Sequence, residues 1–112
     1  MLIYKILLPA QWAEFEAAGR FDGSPDDHRS GFIHLSTREQ VAHTAARVFG
    51  QEPVLVVVAV ETEALGEALR WEEAPNRGEV FPHVYGSLPR AAVAAVHQVA
   101  GAPAVNEALP RQ

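Results

Sequence analysis

The run PVLVVVAVE, from Pro53 to Glu61, constrains this chain more than any other stretch. It is the most hydrophobic segment, and it reads as a central strand buried on both faces. Whatever the fold, the other elements have to cover that strand.

Those elements follow from spacing. LIYKILL at the N-terminus reads as a strand in which Ile3, Lys5 and Leu7 alternate with Leu2, Tyr4 and Ile6. After Pro9, Trp12, Phe15 and Ala18 fall at helical spacing, and Gly19 supplies a stop. The polar stretch Arg20 to Ser30 is rich in turn formers and predicts an ordered loop. FIHLS is the next strand. Ser36 and Glu39 have capping-box spacing for a helix over 37–49, with Ala42, Ala45, Val48 and Phe49 as its inward stripe and Gly50 at its end.

Beyond the central strand, a helical turn near Glu63 to Leu65 leads to the strand ALRWEEA, a turn PNRG and the strand EVFPHVYG. Pro82 lacks a ladder donor, which points to an edge strand or a bulge. A helical turn after Leu88 and a strand near Ala95 to Ala100 complete one domain over residues 1–100, and residues 101–112 read as a loose tail. The order β-α-β-α-β-β-β-β favours an α+β fold over a doubly wound one.

Composition narrows the function. A formal net charge of -5 with no basic run argues against nucleic acid held by bulk charge. The absence of cysteine excludes disulfides, thiolate catalysis and cysteine metal sites. No apolar run approaches the ~20 residues of a membrane span, and the N-terminus does not read as a signal peptide, so the expectation is a cytoplasmic protein.

Five histidines remain to be placed. His43 shares a helix face with Glu39 and Arg47 at four-residue spacings and reads as solvated. His97, alone in the last strand, reads as structural, and nothing near His28 in the polar loop specifies a task. His34 in GFIHLST and His83 in FPHVYG each sit mid-way in an apolar stretch. No His-x-His or His-x-x-x-His spacing supports a metal, and Glu72 or Glu73 would have to complete such a site from elsewhere, so none is expected. No nucleophile elbow or phosphate loop occurs. Two such histidines, with Ser36, Thr37, Tyr85 and the RWEE carboxylates as companions, point to a shared pocket.

GFIHLST after a GSPDD loop, the spacing to LRWE, and FPHVYG together resemble the bacterial domain-of-unknown-function 952 family along nearly the whole chain. That family has no established activity and is grouped by fold with the ADP-ribosyltransferase superfamily. The resemblance implies a small split sheet, mixed or antiparallel, with two main helices and a cleft for NAD as substrate. It implies that His34, with Ser36 and Thr37, hydrogen-bonds a ribose, although Leu35 replaces the glycine of the related His-Gly-Ser/Thr motif. Tyr85 would pack on the nicotinamide with His83 beside it. Glu72 is the candidate carboxylate, although it precedes the position that the superfamily pattern requires. Arg38, Arg70 or Arg77 would complete a His-Arg set like that of the RNA phosphotransferase branch.

Two readings follow. In one, His34, His83 and Glu72 are the catalytic candidates of a nucleotide-type site, with Ser36, Thr37, Tyr85 and Arg38 binding substrate. In the other, the chain is a non-catalytic interaction module whose two motif histidines brace the core through hydrogen bonds.

Overall fold

Val56, Val58 and Val60 project from one side of β4 (Leu55–Glu61), and Leu55, Val57 and Ala59 project from the other. Each set is buried in its own hydrophobic core, so the double burial read from PVLVVVAVE holds. The computed structural model describes residues 1–75 and 78–111. In it, β4 is flanked by β1 (Leu2–Leu7) and β8 (Val93–Val99) in an antiparallel sheet of order β1-β4-β8.

One face carries α1 (Pro9–Ala18) through Phe15, together with Phe21, Ile33, Leu35 and Val84. The other carries α3 (Val41–Phe49) through Val41 and Ala45. Burying each Val or Leu stabilises by ~1.5–3 kcal/mol, and these two cores hold the central sheet between them.

A second antiparallel sheet has the order β3-β6-β5, from β3 (Ile33–His34), β6 (Val80–Val84) and β5 (Leu69–Glu73). A two-residue ribbon pairs β2 (Arg20–Phe21) with β7 (Leu88–Pro89). The class is therefore α+β with antiparallel sheets. No helix among the described residues is long and apolar enough to cross a membrane. Asn76 and Arg77, in the expected PNRG turn, lie outside the described residues.

Four local expectations are corrected. The polar loop contains β2 and a helix, α2 (Pro25–Ser30). Ser24 accepts from the Asp27 N–H at 3.1 Å, the Asp27 carboxylate accepts from the Ser24 N–H at 2.9 Å, and Gly31 ends the helix at φ 87°. The capping exchange expected at Ser36 and Glu39 occurs one residue later. Thr37 Oγ1 accepts from the Gln40 N–H at 3.2 Å, and Gln40 Oε1 accepts from the Thr37 N–H at 3.0 Å. Of the expected stripe, Ala45 is buried and Ala42 and Phe49 pack against the core, but Val41 takes the inward place and Val48 is 50% exposed.

The described residues after Gly101 are not loose: Val105 of α4 (Val105–Ala108) and Leu109 just beyond it are buried in the second core. Finally, Pro82 sits in the middle strand of its sheet and not at an edge. The Leu35 N–H donates to the Pro82 carbonyl at 3.1 Å, so the N and O of Pro82 face β3. The missing N–H thus costs β5 nothing and ends the ladder on the β3 side. From Ser36 the chain pairs instead with Tyr4 of β1, which joins the two sheets.

Candidate functional site

The register of β3 on β6 sets His34 directly opposite His83. Because Leu35 and Pro82 form the bonded neighbour, the histidines occupy a non-hydrogen-bonded position, where side chains on one face stand closest. Their ring centroids are 5.7 Å apart and the planes meet at 73°. The two motifs, far apart in sequence, therefore lie side by side.

Each imidazole is oriented by its own carboxylate. His34 Nδ1 lies 2.6 Å from Asp27 Oδ1, and His83 Nδ1 lies 2.8 Å from Glu72 Oε1. Asp27 is buried and also accepts from Lys5 Nζ at 3.0 Å and from the His34 N–H at 3.1 Å. Burial opposes its charge, but the His34 hydrogen bond, the Lys5 ammonium and the backbone donors prevail, holding the carboxyl well below its usual range. Burial pushes the Lys5 ammonium down, and Asp27 counteracts it. Glu72 is held below the ordinary range by hydrogen bonds from His83 and Tyr85. An ionised carboxylate only accepts, so each Nδ1 carries the proton and each Nε2 is the free position. Among the described residues, neither Nε2 has a protein partner.

Phe32 packs against both rings, stacked on His83 at 4.0 Å and 4.8 Å from His34. The Tyr85 hydroxyl donates to Glu72 at 2.7 Å, and the Arg70 guanidinium lies 4.6 Å from the centre of the Tyr85 ring. A cleft of about 840 Å³ opens beside this cluster, with Lys5, Asp27, Phe32, His34, Ser36 and His83 among its lining residues. The side chain of His34 is 40% exposed and that of His83 is 6%.

The family model for proteins of unknown function, DUF952, matches residues 6–96, which include both histidines and both carboxylates. The chain belongs to the DUF952 family. Its fold is similar to that of protein CC0527 from Caulobacter crescentus. The crystal structure of CC0527 is 48% identical in sequence with a TM-score of 0.81, over 88% of this chain and 86% of that one. Its solution NMR structure is 47% identical with a TM-score of 0.74, over 88% and 83%. No curated protein matches the chain.

In this DUF952 protein, the residues singled out from sequence separate into two groups. His34, His83, Glu72 and Tyr85 come together, although Glu72 and Tyr85 stand behind His83 and do not line the cleft. Ser36 lines the cleft and donates its hydroxyl to Thr44 at 3.2 Å. Thr37 is committed to Gln40. Arg38 is turned away, donating to Asn106, Leu109 and Pro110 of the C-terminal segment. Among the described residues no three His, Asp or Glu side chains converge as a metal-ligand set.

Asp27, Lys5 and Phe32 were not singled out by the sequence. Two signals pointed to the first two. Ser24-Pro25-Asp26-Asp27 is a helix start, with a cap, a proline and acids in the first turn. Lys5 is the single charge in a strand with apolar residues on both faces, and a buried lysine requires a carboxylate.

Proposed function

We propose that the cleft binds a nucleotide-type small molecule, NAD or another ligand containing ADP-ribose, with Nε2 of His34 and His83 directed at it. The observation that carries this reading is the pair of facing imidazoles, each with Nδ1 held by a carboxylate and Nε2 without a protein partner among the described residues. Imidazole both donates to and accepts from ribose hydroxyls and phosphate oxygens. The cleft volume falls within the ~300–1,000 Å³ common for small-molecule sites. Phe32 offers an aromatic surface. The ADP-ribosyltransferase-like grouping belongs to this proposal, supported by two antiparallel sheets that meet at the Tyr4–Ser36 bridge. Glu72 is bound to His83 and Tyr85, which favours an orienting role over direct stabilisation of an oxocarbenium ion.

The bracing role has support of its own, since Lys5, Asp27 and His34 tie β1, α2 and β3 together. Thermal unfolding with millimolar NAD or ADP-ribose separates the two readings. Ligand at 100 times its Kd stabilises by ~2.7 kcal/mol, on the order of a 10 °C shift. His34→Asn keeps an N–H for Asp27 but removes Nε2. It abolishes the shift if Nε2 meets ligand. Absence of any shift in the unmodified protein refutes ligand binding and leaves the brace.

A further inference from the structure

We infer that His34 and His83 form a general acid–base pair that hydrolyses a cyclic phosphodiester of a nucleoside. This rests on the nucleotide-type reading of the cleft and names the bond that is broken.

The duplication is the starting observation. Binding a ribose or a phosphate takes one oriented imidazole, whereas this cleft has two, each with a separate carboxylate from a separate element. Asp27 comes from α2 and is shared with Lys5 of β1; Glu72 comes from β5 and is shared with Tyr85. Arg70, also on β5, stacks on Tyr85, and Asp26, Arg29 and Arg47 are further charged residues lining the cleft. With separate orienters, one ring can hold a proton on Nε2 while the other offers a lone pair. That is the arrangement needed when one proton must leave and another must arrive.

The chemistry of the leaving group selects the bond. Nicotinamide leaves NAD as a neutral ring and needs no proton, but the ribosyl cation it leaves calls for a nearby free carboxylate, and Glu72 is engaged. A phosphate ester expels an alkoxide, which must be protonated, and attacking water must lose a proton. Both imidazoles then have a task. An acidic chain with no basic run disfavours polymeric RNA, leaving a small singly charged diester as the substrate class.

In the step, the Nε2 lone pair of one histidine removes a proton from water as the water oxygen bonds to phosphorus. The P–O bond to the ribose oxygen breaks, and its electron pair takes the proton from Nε2–H of the other histidine. Cyclic phosphodiester plus water gives a nucleoside phosphomonoester. The histidines finish with their protons exchanged, and proton transfer with solvent restores them. Asp27 and Glu72 are positioning residues throughout.

The test incubates the full chain with adenosine 2′,3′-cyclic phosphate and follows phosphomonoester formation, with ADP-ribose thermal shifts measured in parallel. Turnover with a bell-shaped kcat/KM profile is expected, and His34→Asn and His83→Asn should each lower it by ~10²–10⁴-fold. The profile of the unmodified protein tests the pair even where a variant folds poorly. A thermal shift without turnover overturns the acid–base pair and leaves nucleotide binding standing. Neither shift nor turnover overturns both. Turnover that survives in well-folded His34→Asn and His83→Asn also overturns the pair.

Discussion

Lys5 and Asp27 form an ion pair of 3.0 Å between β1 and α2, with side chains 8% and 2% exposed. It joins the central sheet to the helix that orients His34, so a strand residue distant in sequence helps to shape the site. Removing one partner of a buried pair leaves the other uncompensated. Asp27→Asn should therefore destabilise the protein by ~3–5 kcal/mol, read as a lower urea midpoint with an unchanged slope.

The same carboxylate gives stability a pH dependence. Asp27 is depressed in the folded protein, while the unfolded chain returns it to ~3.9. Between those values the unfolded state binds the extra proton, so acid favours unfolding. The contribution is complete above about pH 5 and declines as pH falls towards the folded value. Urea midpoints at pH 7, 4 and 3 should fall steeply, and Asp27→Asn should flatten the trend.

Glu72 raises the Tyr85 phenol above its ordinary value, because the carboxylate accepts the hydroxyl hydrogen and opposes a second negative charge. An ultraviolet pH titration should show the Tyr85 component ionising above ~10 and moving down in Glu72→Gln. Glu72 is half-buried, and Gln keeps an oxygen that can accept from His83 or Tyr85, so the variant should remain folded. Loss of the His83 orienter should still lower cyclic phosphodiester hydrolysis at least about tenfold. A purely structural Glu72 would leave turnover alone.

Arg38 holds the C-terminal segment through Asn106, Leu109 and Pro110. Arg38→Ala should cost ~1–2 kcal/mol and expose residues after Gly101 to proteolysis. ADP-ribose thermal shifts should keep their size. A lost shift in folded Arg38→Ala would return Arg38 to the binding residues.

The sequence made the histidine pair legible because both rings interrupt apolar strands, where an unassigned imidazole is conspicuous. The strands of β1 and β4 were equally legible, because burial on both faces leaves nearly continuous apolar runs. The facing of His34 and His83 was not, since strand register is a tertiary property. Asp27 was hidden within a stretch dominated by turn formers, where a six-residue helix leaves no apolar periodicity to detect. The destination of Arg38 depended on α4, a four-residue helix that forms against the second core and has little propensity signal of its own.

Pro82 is an end-stop for β3. A one-residue slip of β3 along β6 would turn His34 to the opposite face, and at Pro82 β6 has no N–H to carry the pairing past Leu35. The short ladder that sets His34 opposite His83 thus ends beside a proline. Its substitution would present β3 with one more backbone N–H and lengthen the pairing, while leaving the charged groups beside both imidazoles intact.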